Sequence, residues 1–152
     1  MGGIRREKGT LEKVKAAALR ITGGCLCGQT RYEVSGPMLF SLLCYCVDCQ
    51  KASGTGHVPI MGVARSGFTV DGPAVMSTVT GGSGLRAIRN FCANCHSLLF
   101  GTPEAAPDIV TIYAGSLDDR HLFTPEKAQF TRTRQAWDLV PAGLPAYQEA
   151  AP

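Results

Sequence analysis

Thr30-Arg31-Tyr32-Glu33-Val34-Ser35 alternates polar and less polar side chains, the pattern of a half-buried β-strand, and Ser35-Gly36-Pro37 ends it with a turn signal. The same pattern recurs along the chain. Val58–Ala64, Phe68–Asp71, Val75–Val79, Leu85–Phe91 and Ile109–Tyr113 are each predicted as strands. Ser66-Gly67, Asp71-Gly72-Pro73 and Gly81-Gly82-Ser83-Gly84 separate some of them. Strands this closely spaced, without intervening helices of about 10–15 residues, predict a mainly β fold of antiparallel sheets and exclude a parallel α/β sheet. No internal repeat is present, and from Pro125 onward weak periodicity and Pro/Ala-rich ends predict loop. Gly81–Gly84 has neither the following Lys-Ser/Thr nor the spacing of a nucleotide-binding loop, so it is read as a hairpin loop.

The 152-residue chain is 45% hydrophobic, enough for one domain with a sizeable core. No apolar run approaches the roughly 18 residues that a membrane span needs. The net charge of +3 is unevenly placed. Residues 1–20 hold six basic residues against Glu7 and Glu12, whereas the other 132 hold nine basic and ten acidic residues. A near-neutral body gives no electrostatic case for nucleic-acid binding. Residues 1–20 are read as a basic N-terminal extension, with Thr10–Arg20 able to form a short helix capped by Thr10. The apolar stretch of a secretory signal is missing from it, and Arg6 breaks the myristoylation pattern, so a cytoplasmic location is expected.

All seven cysteines fall into three clusters: Cys25-Leu26-Cys27, Cys44-Tyr45-Cys46-Val47-Asp48-Cys49 and Cys92-Ala93-Asn94-Cys95. The odd count and the missing signal disfavour a disulfide framework, which leaves metal ligation. On extended backbone, alternation puts Cys25 and Cys27 on one face. A C-x2-C knuckle converges Cys92 and Cys95 in the same way. Two such pairs together supply four thiolates, the donor set of a closed structural zinc. The middle cluster offers three thiolates, and three protein ligands with one open position suit a catalytic zinc. Spacing leaves other arrangements open. A histidine (His57, His96 or His121) can close the second site, Cys44, Cys46 and Cys49 can be free thiols, or the cysteines can hold an iron–sulfur centre.

The run Gly23-Gly24-Cys25-Leu26-Cys27-Gly28, then Arg31-Tyr32, the middle cluster with Gln50-Lys51, and Phe91-Cys92-Ala93-Asn94-Cys95 resembles the glutathione-dependent formaldehyde-activating enzyme family, whose relatives include centromere protein V-type domains. Gly115-Ser116-Leu117-Asp118-Asp119 and Trp137 fit as well, so the resemblance covers residues 23–144. It implies a β-tent pinned by a structural zinc on Cys25, Cys27, Cys92 and Cys95. It also implies a catalytic zinc on Cys44, Cys46 and Cys49, making two zincs per chain in a domain spanning residues 21–145, with 146–152 as a tail. The implied activity is a carbon–sulfur lyase that reversibly adds glutathione, or a similar thiol, to formaldehyde or another small aldehyde. The alternative function is a non-catalytic zinc module that binds a protein partner. A thiol redox protein fits less well, because no cysteine stands apart from the clusters.

Two departures from the family pattern stand out: His96 follows Cys95 where Gly is common, and Gln50 stands where Arg is frequent. Lys51 and Arg65 are then candidate cations for glutathione's carboxylates, each set against a plain surface role. Ser53–His57 can form a substrate-facing loop, with His57 as a candidate proton donor. Tyr45 is expected to point away from the metal and pack, Trp137 and Phe130 to be core or groove aromatics, and Asp118 or Asp119 to cap a helix.

Overall fold

The computed structural model describes residues 20–82 and 84–152. The basic stretch and its expected helix therefore lie outside the described residues, except for Arg20, which begins the first strand. Among the described residues the fold is mainly β, with two sheets and one α-helix. Strands β1 (Arg20–Gly24), β2 (Arg31–Ser35) and β5 (Phe68–Asp71) form an antiparallel sheet in the order β1-β2-β5. A second sheet of seven strands runs β10-β3-β4-β9-β8-β7-β6. Its members are β3 (Met38–Cys44), β4 (Val58–Ala64), β6 (Ala74–Thr80), β7 (Arg86–Cys92), β8 (Leu98–Gly101), β9 (Ile109–Tyr113) and β10 (Lys127–Gln129). The helix α1 (Val47–Ser53) leaves the end of β3. No helix among the described residues is long and apolar enough to cross a membrane.

The sheets meet over one apolar core. Ile21, Tyr32 and Val34 of the small sheet pack with Met61, Val63, Leu99, Phe100, Val110 and Ile112 of the large one. An aromatic chain crosses the junction: Tyr32 stacks on Phe68 at 5.7 Å between ring centroids, and Phe68 meets Phe100 at 4.7 Å. Each such large side chain contributes about 1.5–3 kcal/mol by leaving water. Two buried hydroxyls are partnered by backbone carbonyls, Thr30 Oγ1 donating to Pro73 O and Ser41 Oγ to Thr124 O.

Six expected strands form at or within a residue or two of their predicted limits. The other four were not expected: β1, β10, and β3 (MLFSLLC) and β8 (LLFG), the last two being largely buried runs whose periodicity does not distinguish strand from helix. The reading of residues 125 onward as loop is corrected by β10, which pairs in parallel with β3, so the large sheet is not wholly antiparallel. Residues 145–149, partly read as tail, hydrogen-bond back along this strand: Ala128 N–H to Pro145 O, Tyr147 N–H to Ala128 O and Phe130 N–H to Glu149 O. Trp137 is corrected too: it is 72% exposed, in neither core nor groove. The β6–β7 hairpin does turn where it was expected, with Gly81 N–H donating to Leu85 O and Gly84 N–H to Gly81 O.

Gly23 shows how closely the two ends of the small sheet are fitted. A Cβ there would lie 2.2 Å from the buried Tyr32 hydroxyl and 2.5 Å from the backbone oxygen of Ser116. Gly23→Ala is expected to destabilise the domain by about 1–3 kcal/mol in urea unfolding, as overpacking of a tight site does.

Candidate metal centres and cavity

The structure brings the seven cysteines into two groups. The Sγ atoms of Cys25, Cys27, Cys92 and Cys95 lie within 4.8 Å of one another, as do those of Cys44, Cys46 and Cys49. No histidine, aspartate or glutamate joins either group among the described residues. All seven thiols are free of disulfides.

In the first group Cys25 sits just past β1 and Cys92 ends β7, so the cluster joins the two sheets. The extended-backbone reading of Cys25–Cys27 is corrected: the pair sits on a turn closed by Gly28 N–H to Cys25 O. Cys25 and Cys27 sulfurs are 3.4 Å apart, and those of Cys27 and Cys92 are 3.7 Å apart. A tetrahedral ion with zinc–sulfur bonds of about 2.3 Å separates its sulfurs by about 3.8 Å, so the donor set fits zinc. Backbone N–H groups point at the sulfurs, Thr30 N to Cys25 at 3.2 Å and Asn94 and Cys95 N to Cys92 at 3.4 and 3.5 Å. Such donors favour thiolates. The Cys95 thiol falls to about 5, chiefly through the Ser97 hydroxyl. His96 takes the left-handed φ of 59° that ends the knuckle and is exposed, which explains why glycine suits this position.

The second group is built where β3 ends and α1 begins. Tyr45 is fully buried on the opposite side from its neighbours, donating its hydroxyl to Leu139 O, as alternation predicts. Cys46 caps α1, its sulfur accepting from Cys49 N–H at 3.3 Å. Gln129 Nε2 on β10 reaches the Cys44 sulfur at 3.7 Å. Crowding three thiols divides their behaviour. Hydrogen bonds from Cys44 and Cys49 pull Cys46 down to about 3, while the bond to Cys46 pushes Cys44 up to about 11. Cys49 is also pushed up, by its bonds to Cys44 and Cys46. The cluster carries one thiolate readily and resists the second and third without a cation.

These three cysteines lie in the wall of a cavity of about 690 Å³, within the usual range of small-molecule sites. Its other walls come from the β6–β7 hairpin (Gly81, Gly82, Leu85), strands β4 and β7–β9 (Ile60, Ala87, Arg89, Gly101, Thr111, Tyr113) and the C-terminal segment (Phe130, Arg132, Glu149, Ala150). Asp48 on α1 accepts from Gly82 N–H at 3.1 Å, which fastens the hairpin beside the cysteines. The expected cations Lys51 and Arg65 are exposed and lie outside this lining; Arg86, Arg89 and Arg132 occur in it instead. Arg89 was missed, although a charged residue two positions from Ala87 on an alternating strand was the available signal.

His57, read as a proton donor, is outside the lining as well. Its Nδ1 is 2.7 Å from Asp138 Oδ2, and its ring lies 4.8 Å from that of Tyr45. Asp119 caps a 3-10 turn by accepting from His121 N–H, whereas Asp118 binds Arg31 and the Thr22 hydroxyl.

The glutathione-dependent formaldehyde-activating enzyme family model matches residues 20–133, and the chain belongs to that family. A putative glutathione-dependent formaldehyde-activating enzyme of Halomonas elongata is 27% identical over 113 residues, spanning 70% of this chain and 71% of its own. The crystal structure of a Rhodobacter sphaeroides protein superposes with a TM-score of 0.50 at 16% identity, covering 83% of this chain and 98% of the other; that likeness concerns the fold alone.

The His57–Asp138 contact generates a stability test. His57→Ala and Asp138→Ala should each lose about 1 kcal/mol in urea unfolding, and the double variant less than their sum.

Proposed function

We propose that the chain is a zinc-dependent carbon–sulfur lyase that reversibly adds glutathione, or a similar low-molecular-weight thiol, to formaldehyde or another small aldehyde. The observation that carries this reading is the placement of the Cys44, Cys46 and Cys49 sulfurs together in the wall of the cavity. Three thiolates from one wall leave a ligand position facing the space where a small molecule fits. Zinc held there would supply the charge that keeps a coordinated substrate thiol deprotonated at neutral pH.

The chain's own residues do the rest. Gln129 supports Cys44, and the N–H groups of Cys49 and Asp48 support Cys46 as thiolate. The Tyr113 hydroxyl, raised to about 12 by burial, stays protonated and offers the cavity a hydrogen-bond donor for a carbonyl oxygen. In the addition, the sulfur pair forms the C–S bond, the carbonyl π pair moves to oxygen, and that oxygen takes up a proton. The reverse breaks the C–S bond and returns the proton. Cys25, Cys27, Cys92 and Cys95 would hold a second, structural zinc that pins the small sheet to the large one as a β-tent.

Carefully prepared protein should contain two zincs per chain. Cys46→Ser should stay folded, keep one zinc and lose the catalysed exchange between formaldehyde and S-(hydroxymethyl)glutathione measured by NMR. Cys92→Ser should lose the structural zinc and much of its stability, because metal binding there is folding free energy. A folded Cys46→Ser variant with full exchange activity would refute this assignment.

A further inference from the structure

Arg89 is the feature that the proposed chemistry does not use. It is 7% exposed, one of three buried polar or charged residues among those described, and it lies in the cavity wall. The other two, Thr30 and Ser41, have backbone carbonyl partners, whereas Arg89 Nε is buried with no hydrogen-bond partner. Burying a guanidinium costs several kcal/mol unless something of opposite charge meets it. The two other arginines in the lining are already matched: Arg86 pairs with Glu104 at 3.1 Å and Arg132 with Glu149 at 2.8 Å. No carboxylate pairs with Arg89 among the described residues. The guanidinium hydrogen-bonds the Cys49 sulfur and the Tyr113 hydroxyl, neither of them a carboxylate, which leaves Nε unpartnered.

The sheet makes room for it. Arg89 on β7 stands opposite Gly101 on β8, and Gly101 stands opposite Thr111 on β9. A side chain at Gly101 would come within 2.7 Å of the Thr111 hydroxyl and 3.3 Å of the Tyr113 hydroxyl. With glycine there the strands close up, and Arg89, Thr111 and Tyr113 form a polar stretch in the wall of an otherwise largely apolar cavity.

We propose that Arg89 is the anchor for a carboxylate of the substrate, held at this polar stretch of the cavity wall beside the three-cysteine cluster. A guanidinium presents five N–H donors in a planar fork, so it can face Cys49 on one side and still receive a carboxylate on another. The carboxylate belongs either to the thiol partner, as glutathione's glycine end, or to the carbonyl partner, as an oxo-acid. This rests on the thiol–aldehyde reading above, and the experiment separates the two.

Isothermal titration calorimetry on zinc-loaded wild type and Arg89→Gln would use S-methylglutathione and its glycinamide counterpart, which lacks that carboxylate. The carboxylate should tighten binding to wild type by about tenfold or more, the usual worth of a charged hydrogen bond, and the preference should collapse in Arg89→Gln. Oxamate, a mimic of a two-carbon oxo-acid, forms the second arm. If oxamate alone loses affinity in Arg89→Gln, the carboxylate is carried by the carbonyl partner. Equal weakening of S-methylglutathione and its glycinamide with oxamate unaffected, or unchanged affinity for all three ligands, overturns the proposal. Zinc content and near-ultraviolet circular dichroism establish that the variant is folded. Should it not fold, Arg89→Lys keeps the charge without the fork, and an undiminished carboxylate preference in it overturns the proposal. Carboxylate-dependent binding in a wild type that catalyses no exchange would sink the function and leave the anchor standing.

Discussion

The convergence of Cys25 and Cys27 with Cys92 and Cys95 is the constraint on which the rest of the molecule depends. One pair follows the first strand of the small sheet and the other closes β7 of the large sheet, so their meeting fixes the angle between the sheets. The apolar core works in the same direction through Tyr32, Phe68 and Phe100, but such packing is non-directional. Four sulfurs within 4.8 Å of one another, with backbone N–H groups aimed at Cys25 and Cys92, add direction. Gly23, which admits no side chain between Tyr32 and Ser116, belongs to the same close fit.

Once the sheets are set, the second cluster follows from where β3 stops. The last residue of the strand supplies Cys44, alternation turns Tyr45 into the core, and Cys46 both caps α1 and faces Cys49 one turn on. The helix is only seven residues long, so tertiary contacts rather than propensity hold it. Gln50 supplies two of them, donating to Tyr45 O and to Thr133 O of the C-terminal segment. A strand end, a cap and a clamp thereby place three soft ligands at the rim of a cavity.

The grouping of the cysteines was legible because their close spacing within each cluster survives without knowledge of the fold. The exposed-face strands were legible because alternation is local. What escaped was set by long-range contact: the buried runs of β3 and β8 look alike in either secondary structure, and β10 gains its strand character from β3, more than eighty residues earlier. Trp137 was misjudged because composition does not say which aromatic is covered. The cavity's cations were misjudged for a related reason: Lys51 is near the cysteines in sequence, while Arg89 reaches them only through the sheet.

Charge balance draws these parts together. The buried guanidinium of Arg89 stands beside the Cys49 sulfur, so it carries the charge opposite to that of the cluster whenever those thiols ionise. The same positive charge favours an anionic substrate group entering the cavity, which the Cys44–Cys46–Cys49 cluster by itself would repel. Arg86 and Arg132 do not duplicate this role, since each is already matched by a glutamate near the cavity. Among the described residues Arg89 is thus the arginine of the cavity wall with no carboxylate partner, and it stands beside the sulfurs.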